Sequence, residues 1–566
     1  MSRQLRATAV LFVATLAICP VARVSAQAEQ PTPANAGNAP AGAPSAPPAP
    51  APAATSRDPA FDILAFDVEG NSVLSTRQIE LAVTPFLGLK RHFADIEAAR
   101  RALENAYQKA GFQTAFVDIP EQRISGGVIR LHVLEGSVGR LHVTGSRYYE
   151  QGQIRAAVPQ LAPGSVPDFL QMQQEMSDLN RNADRQVSPI LSPGRVPGTV
   201  DVNLSVKDSL PLHGDIEDDN HASPFTTGNR TSASLHYDNL WQRQHSIAVN
   251  YQVAPQDPAQ TNVLYATYLW RFSGSDNVVS VYGIRSNSNV AVVGGSTILG
   301  NAKIAGARWI MPLSTSSTPG FPYFHSITLG IDRKDFAQTN IDAAQSSLTV
   351  LPPVTYAPLS LTYAATALLP SRTVSASVGF VTAPRGVLGN SDATFQSRRV
   401  YGGASFVAYK YEGSIDQTLS KHWGAYAHAI GQWSFDPLIP NEQFLTGGAD
   451  SVRGYRESEV SGDRGLNATL EARLFPFGHP GPDGNRSLYA CAFVDGGQVR
   501  LVHPAGPQIS ISTIASTGVG LHAQSWYGFR LALDVAKTLR DGGHGVSSFI
   551  TPNGTTRVEA LLGYSF

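Results

Sequence analysis

The 566-residue sequence predicts a transmembrane antiparallel β-barrel of about 16 strands, preceded by two small α+β domains. Three observations carry this prediction. From about Leu210 to the end, strict alternation of apolar and polar residues replaces the helical periodicity of the preceding region. An export signal stands at the amino terminus. The chain closes on an alternating run ending in an aromatic: Val558, Ala560, Leu562, Tyr564, Phe566.

Composition agrees. Charged residues make up 15% of the chain, well below the roughly 25% of an ordinary soluble protein. The formal net charge of -1 gives no general attraction to nucleic acid. Residues 1–26 read as a signal peptide. Arg3 and Arg6 supply its positive region, Ala7 to Pro20 an apolar stretch short for a bilayer span, and Val24-Ser25-Ala26 the small residues for cleavage before Gln27. Of the two cysteines, Cys19 lies in this segment, so the mature chain carries one thiol, Cys491, and no internal disulfide. Residues 27–57 are rich in Pro, Ala and Gly and read as an extended, disordered linker.

The next region holds an internal repeat. Phe66-Asp67-Val68-Glu69-Gly70-Asn71, followed by Ile79 and Ala82-Val83, returns as Leu141-His142-Val143-Thr144-Gly145-Ser146, followed by Ile154 and Ala157-Val158. One offset of roughly 75 residues relates every matched position, the size of a small module. In the first copy, 58–136, Ile63 to Val73 reads as a strand and Ser75-Thr76 as a helix cap. Phe93, Ile96, Ala99, Leu103, Ala106 and Tyr107 form a second helix that Gly111 ends, and Thr114 to Ile119 and Val128 to Leu134 form two strands. The second copy, 137–209, has a helix at Met172, Met176 and Leu179 and a closing strand at Thr199 to Val206, with Pro189 and Pro193 interrupting the stretch between.

In 210–566 the alternation recurs: Ala233, Leu235 and Tyr237; Ile247, Val249 and Tyr251; Leu264, Ala266, Tyr268 and Trp270; Ala468, Leu470, Ala472 and Leu474 against Thr469, Glu471 and Arg473; Phe529, Leu531, Leu533 and Val535 against Arg530 and Asp534. A soluble sandwich and an inverted barrel, apolar outward to lipid and polar inward, both satisfy such a pattern. The export signal selects the barrel. So do aromatics at strand ends (Tyr268, Trp270, Trp309, Tyr323, Phe324, Trp423) and a last strand able to close against the first, which removes the sheet edges that lipid forbids.

The most distinctive stretch is Gly447-Gly448-Ala449-Asp450-Ser451-Val452-Arg453-Gly454-Tyr455. Its glycines suit positive φ or close approach, and its guanidinium is a planar donor fork suited to a carboxylate in a confined place. Asp495, in Phe493-Val494-Asp495-Gly496-Gly497, is one candidate partner; Glu457, Glu459 and Asp463 are others. The 14 histidines show no metal-ligand clustering along the chain, and His325 and His428 read as wall or loop side chains. Cys491, in Tyr-Ala-Cys-Ala-Phe, reads as a small packing residue. No Gly-x-Ser-x-Gly, His-Glu-x-x-His or phosphate-loop motif is present, so the sequence offers nothing to an enzyme reading, a cofactor or a metal.

Val452-Arg453-Gly454-Tyr455 and Phe493-x-Asp495-x-Gly497 resemble the inward-loop and barrel-wall motifs of the BamA/TpsB superfamily of outer-membrane barrels. With Asp208 to Gly214, Tyr237 to Trp241 and His325 to Asp332, they resemble the TpsB (ShlB/FhaC/HecB) transporters of two-partner secretion from about residue 60 to the end. The resemblance implies that the repeat forms two periplasmic POTRA domains that capture extended polypeptide. It implies that the loop folds into the barrel, with Arg453 paired to Asp495, and that Tyr564 and Phe566 belong to the terminal signal read by the barrel assembly machinery during biogenesis. It further implies outer-membrane lipid as the surroundings and a TpsA-like exoprotein as cargo. The plug helix of some family members is not carried over, because residues 27–57 lack apolar residues to bury. An outer-membrane assembly factor is the alternative function, and a passive porin a more distant one.

Overall fold

The computed structural model describes residues 60–566 apart from 125, 224–225, 273, 294–295, 314–315, 319–320, 338, 343–346, 351–352, 480–486, 507, 527 and 543–549. The signal peptide and linker expected over 1–57 lie outside the described residues. Two compact units divide between Leu210 and Pro211.

In the first unit, each module is a three-stranded sheet backed by two helices. The first sheet pairs Ala65–Glu69 in parallel with Val128–Glu135, whose other edge holds Ala115–Asp118 antiparallel. Helices Thr76–Val83 and Phe93–Lys109 cover it, burying Ile96, Leu103 and Tyr107 against Ile129, Leu131 and Val133. The first of these helices begins with a capping box between Ser75 and Gln78. The expected strand from Ile63 to Val73 is shorter and broken: Phe61–Ile63 pairs with Gly88–Arg91, and Ala65–Glu69 stops at Gly70, where φ is +86°.

Gly70 shows what the repeat is for. A Cβ there would meet the carbonyl oxygen of Val133, and at Gly145, with φ +85°, it would meet that of Val206. Both turns are held by an acid at the end of the module's last strand. Glu135 accepts from the Ser72 and Val73 amides, and Asp208 from those of Arg147, Tyr148 and Tyr149. Glu135 also receives the Tyr107 hydroxyl at 3.1 Å, and burial together with the Glu135 charge pushes that phenol's pKa up. In the second sheet, Ser137–Thr144 and Arg185–Pro193 flank Thr199–Asp208. Pro189 and Pro193 therefore do not interrupt the module. They sit in an edge strand, where a missing N–H leaves no ladder bond broken.

The second unit is a closed antiparallel barrel of 16 staves. These are β1 Leu212–Asp219, β2 Arg230–Leu240, β3 His245–Val253, β4 Thr261–Arg271, β5 Val278–Val293, β6 Ser296–Pro312, β7 Phe321–Ala337 and β8 Leu359–Leu369. There follow β9 Arg372–Ala383, β10 Phe406–Thr418, β11 Trp423–Ser434, β12 Arg464–Leu474, β13 Ser487–Arg500, β14 Ile511–Trp526, β15 Phe529–Thr538 and β16 Thr556–Ser565. Short pieces at Ser316–Thr318 and Val354–Tyr356 extend the wall beside β7. Closure pairs β16 with β1 from Leu561↔Asp219 to Ser565↔Asp215. Phe566 completes it by exchanging backbone hydrogen bonds with Gly214, and Tyr564 packs on Phe529 at 4.9 Å between ring centroids. Among the described residues no helix is long and apolar enough to cross a membrane.

The alternation is inverted relative to a soluble protein. Leu470, Leu531, Leu533, Val535, Val558 and Leu562 are exposed, whereas Glu471, Arg473, Asp534 and Glu559 are buried. Trp270, Trp309 and Trp423 lie exposed near strand ends. The interior is not polar throughout. Short helix Asp392–Gln396, capped by Ser391, carries Phe395 into an apolar cluster with Tyr265, Ile304, Phe336, Tyr356, Phe406, Leu438 and Ile439. Inward-facing Val263 and Tyr265 on β4 thus meet connecting segments rather than water, and Leu269 packs with Val278 of β5 and Ile310 of β6.

Candidate functional site: the arginine loop inside the barrel

Between β11 and β12 the chain makes a hairpin, Phe444–Thr446 pairing with Val460–Gly462. Its tip, residues 447–459, folds onto the inner faces of the last five staves. Gly447 and Gly448 take φ of +106° and +113°, and a Cβ on Gly448 would collide with the Glu457 carboxylate. Val452 and Tyr455 are the apolar foot, packed with Val460, Val499 and Ile514. The Tyr455 hydroxyl donates toward the carbonyls of Ala515 (2.9 Å) and Arg540 (2.7 Å).

Arg453, 5% exposed, faces Asp495, 0% exposed. Its Nε donates to Asp495 Oδ2 at 2.8 Å, its Nη2 to Oδ1 at 2.9 Å, and its backbone amide to Oδ2 at 3.2 Å. The fork is therefore bidentate and reinforced by the main chain. The guanidinium carbon lies 3.4 Å from the centroid of the Phe493 ring, so the preceding inward residue of β13 forms the floor. Gly454, φ +91°, donates its amide to Glu559 at 2.8 Å, and a Cβ there would stand 3.1 Å from that of Ala536. Gly497 leaves room for the loop in the same way: a Cβ on it would lie 3.0 Å from Val452 Cγ2.

Arg453 has two further acidic neighbours that no motif in the sequence marks. Arg453 Nη1 donates to Glu471 on β12 at 3.0 Å and lies 3.6 Å from Asp534 on β15. The charges continue outward from both. Glu471 binds Arg473 at 2.6 Å, Arg473 reaches Asp416 at 3.1 Å, and Asp534 receives His522 at 3.0 Å. The alternation of β12 and β15 placed Glu471 and Asp534 inward, but strand register alone brings them to one guanidinium. Of the other candidate carboxylates, Glu457 accepts the Ala449 amide, Glu459 the Arg456 and Thr551 amides, and Asp463 binds Arg399 and the amides of Leu438 and Val502. Cys491 is buried with Phe475, Tyr489 and Phe493 on the same inner wall, and its thiol lies within 4.8 Å of ligand atoms of His522 and Asp534. His428 contacts Glu412 and His325 contacts Tyr363, both along the wall.

The closed barrel with its apolar outer face, the tandem modules that precede it in sequence and the arginine hairpin within it define a β-barrel of the transmembrane class with two small α+β domains. Known proteins resemble it in both parts. Residues 61–136 match the family described as POTRA domain, ShlB-type, and residues 354–523 match Haemolysin secretion/activation protein ShlB/FhaC/HecB. Over these segments the chain is similar to the ShlB/FhaC/HecB (TpsB) family; its barrel lies in the outer membrane and its N-terminal domains in the periplasm.

Similar curated proteins include the outer membrane transporter CdiB of Dickeya dadantii, 26% identical over 183 residues, which is 32% of each chain. Another is the outer membrane transporter CdiB of Escherichia coli, 23% identical over 467 residues, 78% of this chain and 74% of that one. The chain thus spans about a third of the length of the first relative. Among solved structures, CdiB from Escherichia coli matches with a TM-score of 0.61 at 19% identity, covering 92% of this chain and 93% of that one. BamA from Haemophilus ducreyi lacking POTRA domains 1–3 matches at 0.52 and 13%, covering 89% and 100%. These structures share the fold.

Proposed function

We propose that this protein exports one large exoprotein across the outer membrane by two-partner secretion. Its POTRA domains capture the unfolded chain, and the barrel passes it to the surface. The observation that carries this reading is the docked hairpin. A segment tied to the wall by a bidentate ion pair and a tyrosine foot, rather than by strand pairing, is a releasable obstruction. A passive pore has no use for one.

The first module supports the capture step. Helix Phe93–Lys109 and edge strand Ala115–Asp118 flank a groove lined by Phe93, Ile96, Phe116, Ile119 and Ile124, with Glu97 and Arg100 on its rim. An extended peptide added to that edge would make main-chain hydrogen bonds and place alternate side chains on this apolar floor. The outer membrane offers no nucleotide supply, so folding of the cargo outside the cell provides the pull.

The test compares secreted and outer-membrane proteomes with and without the protein. Loss of one large exoprotein, with other barrels unchanged, is the expected result. A broad fall in outer-membrane barrels would make it an assembly factor, and altered small-solute uptake alone would make it a porin.

A further inference from the structure

We infer that the inner face of β1 and β2 carries a binding site for a divalent transition metal of the zinc class, built from His213, His236 and Asp238. The histidines are far apart in sequence and stand directly opposite each other across the β1–β2 ladder, their ring centroids 5.1 Å apart. Asp238 follows His236 by two residues and so shares its face of the strand. Its Oδ2 lies 3.3 Å from His236 Nε2. One ligand atom from each of the three lies within 4.8 Å of the others.

With bonds of about 2.0–2.1 Å, a bound cation needs donors about 3.4 Å apart in a tetrahedron and at most about 4.2 Å apart. All three side chains are half-buried, which leaves them room for the small rotations that such spacing requires. The donor set decides the ion class. Two imidazoles and one carboxylate suit Zn²⁺, Ni²⁺ or Cu²⁺, whereas Ca²⁺ and Mg²⁺ take oxygen ligands. Three protein ligands leave at least one position open to water.

The surroundings favour a cation. Asp215 follows His213 by two residues on the same face, and Ser234 donates to its carboxylate. The Asp238 backbone is fixed through its amide to the Pro211 carbonyl at 2.9 Å. The site lies at the end of the barrel where β1 begins and β2 ends. A metal there ties β1 to β2 beside the β16–β1 closure, which spans five residue pairs.

The test uses the mature full-length protein, purified in detergent without a histidine tag, stripped of metal and titrated with Co²⁺ and then Zn²⁺. One equivalent of Co²⁺ with visible ligand-field bands, no thiolate charge-transfer band and displacement by Zn²⁺ is expected. The barrel's unfolding temperature should rise with Zn²⁺. Asp238→Asn should weaken binding at least tenfold and His213→Gln/His236→Gln should abolish it. Cys491→Ser, which breaks up the second metal-capable group of side chains found among the described residues, should leave it unchanged. Absence of stoichiometric binding by the unmodified protein would reduce the three residues to a hydrogen-bonded wall cluster and overturn the inference. So would binding that survives in the double variant or disappears in Cys491→Ser.

Discussion

Arg453 and Asp495 make three hydrogen bonds to each other, two from the guanidinium and one from the backbone amide. The amide bond survives any change of the Arg453 side chain, so the side chain governs the strength of docking and the backbone its register. Asp495→Asn keeps the shape but removes the charge, and Arg453→Lys keeps the charge but loses the fork. Both variants should speed hydrogen exchange at amides 447–459 by roughly tenfold or more while leaving the amides of β13 and β14 protected. Unchanged protection of the tip would mean that the Tyr455 foot alone holds it.

Gly454 gives an independent handle. Its φ of +91° lies where an L-residue costs about 1–2 kcal/mol, and its Cβ would press on Ala536. Gly454→Ala should therefore loosen the tip without touching a charge, and Gly454→Val more so. Limited proteolysis of the loop in outer-membrane vesicles reads this directly, with cleavage expected first within 447–459.

A second clasp holds the base of the hairpin. Asp463, 0% exposed, binds Arg399 from the segment between β9 and β10, and Arg399 also donates to the carbonyls of Leu438 (2.8 Å) and Val502 (2.9 Å). Arg399→Ala leaves a buried carboxylate without its cation, a change worth about 3–5 kcal/mol locally. The variant should keep its heat-modifiable barrel yet show raised single-channel conductance in planar bilayers, because three connecting segments lose their common tie.

The groove of the first POTRA domain is testable by charge. Phe116 is 52% exposed on the edge strand, so Phe116→Glu should leave the domain's thermal unfolding nearly unchanged. It should lower affinity for the unfolded exoprotein about tenfold, measured by fluorescence anisotropy of a labelled cargo fragment. Equal affinity would place capture elsewhere.

Much of this architecture is legible in the sequence because alternation and glycine placement are local. Leu470, Glu471 and Arg473 declare their faces within one strand, and Gly70 and Gly145 declare a repeat. The groupings that register creates are not local. Glu471 and Asp534 reach Arg453 from strands some 60 residues apart in sequence, and His213 meets His236 across a ladder, so neither shows as a spaced motif. Apolar residues facing inward on β4 defeat the simple rule for an inverted barrel. Their partners, Phe395, Leu438 and Ile439, come from connecting segments that carry no periodic signal. Pro189 reads as a break until its strand proves to be an edge.

The proposed export requires the Arg453 hairpin to dock and release. Arg453→Ala tests it most directly, since it leaves Glu471, Asp495 and Asp534 facing one another with their shared cation gone. The measurement is secretion of the exoprotein, scored against the amount of heat-modifiable barrel in the outer membrane. Secretion reduced tenfold or more with the barrel present at normal level is the predicted result. Unimpaired secretion by that variant would contradict the account.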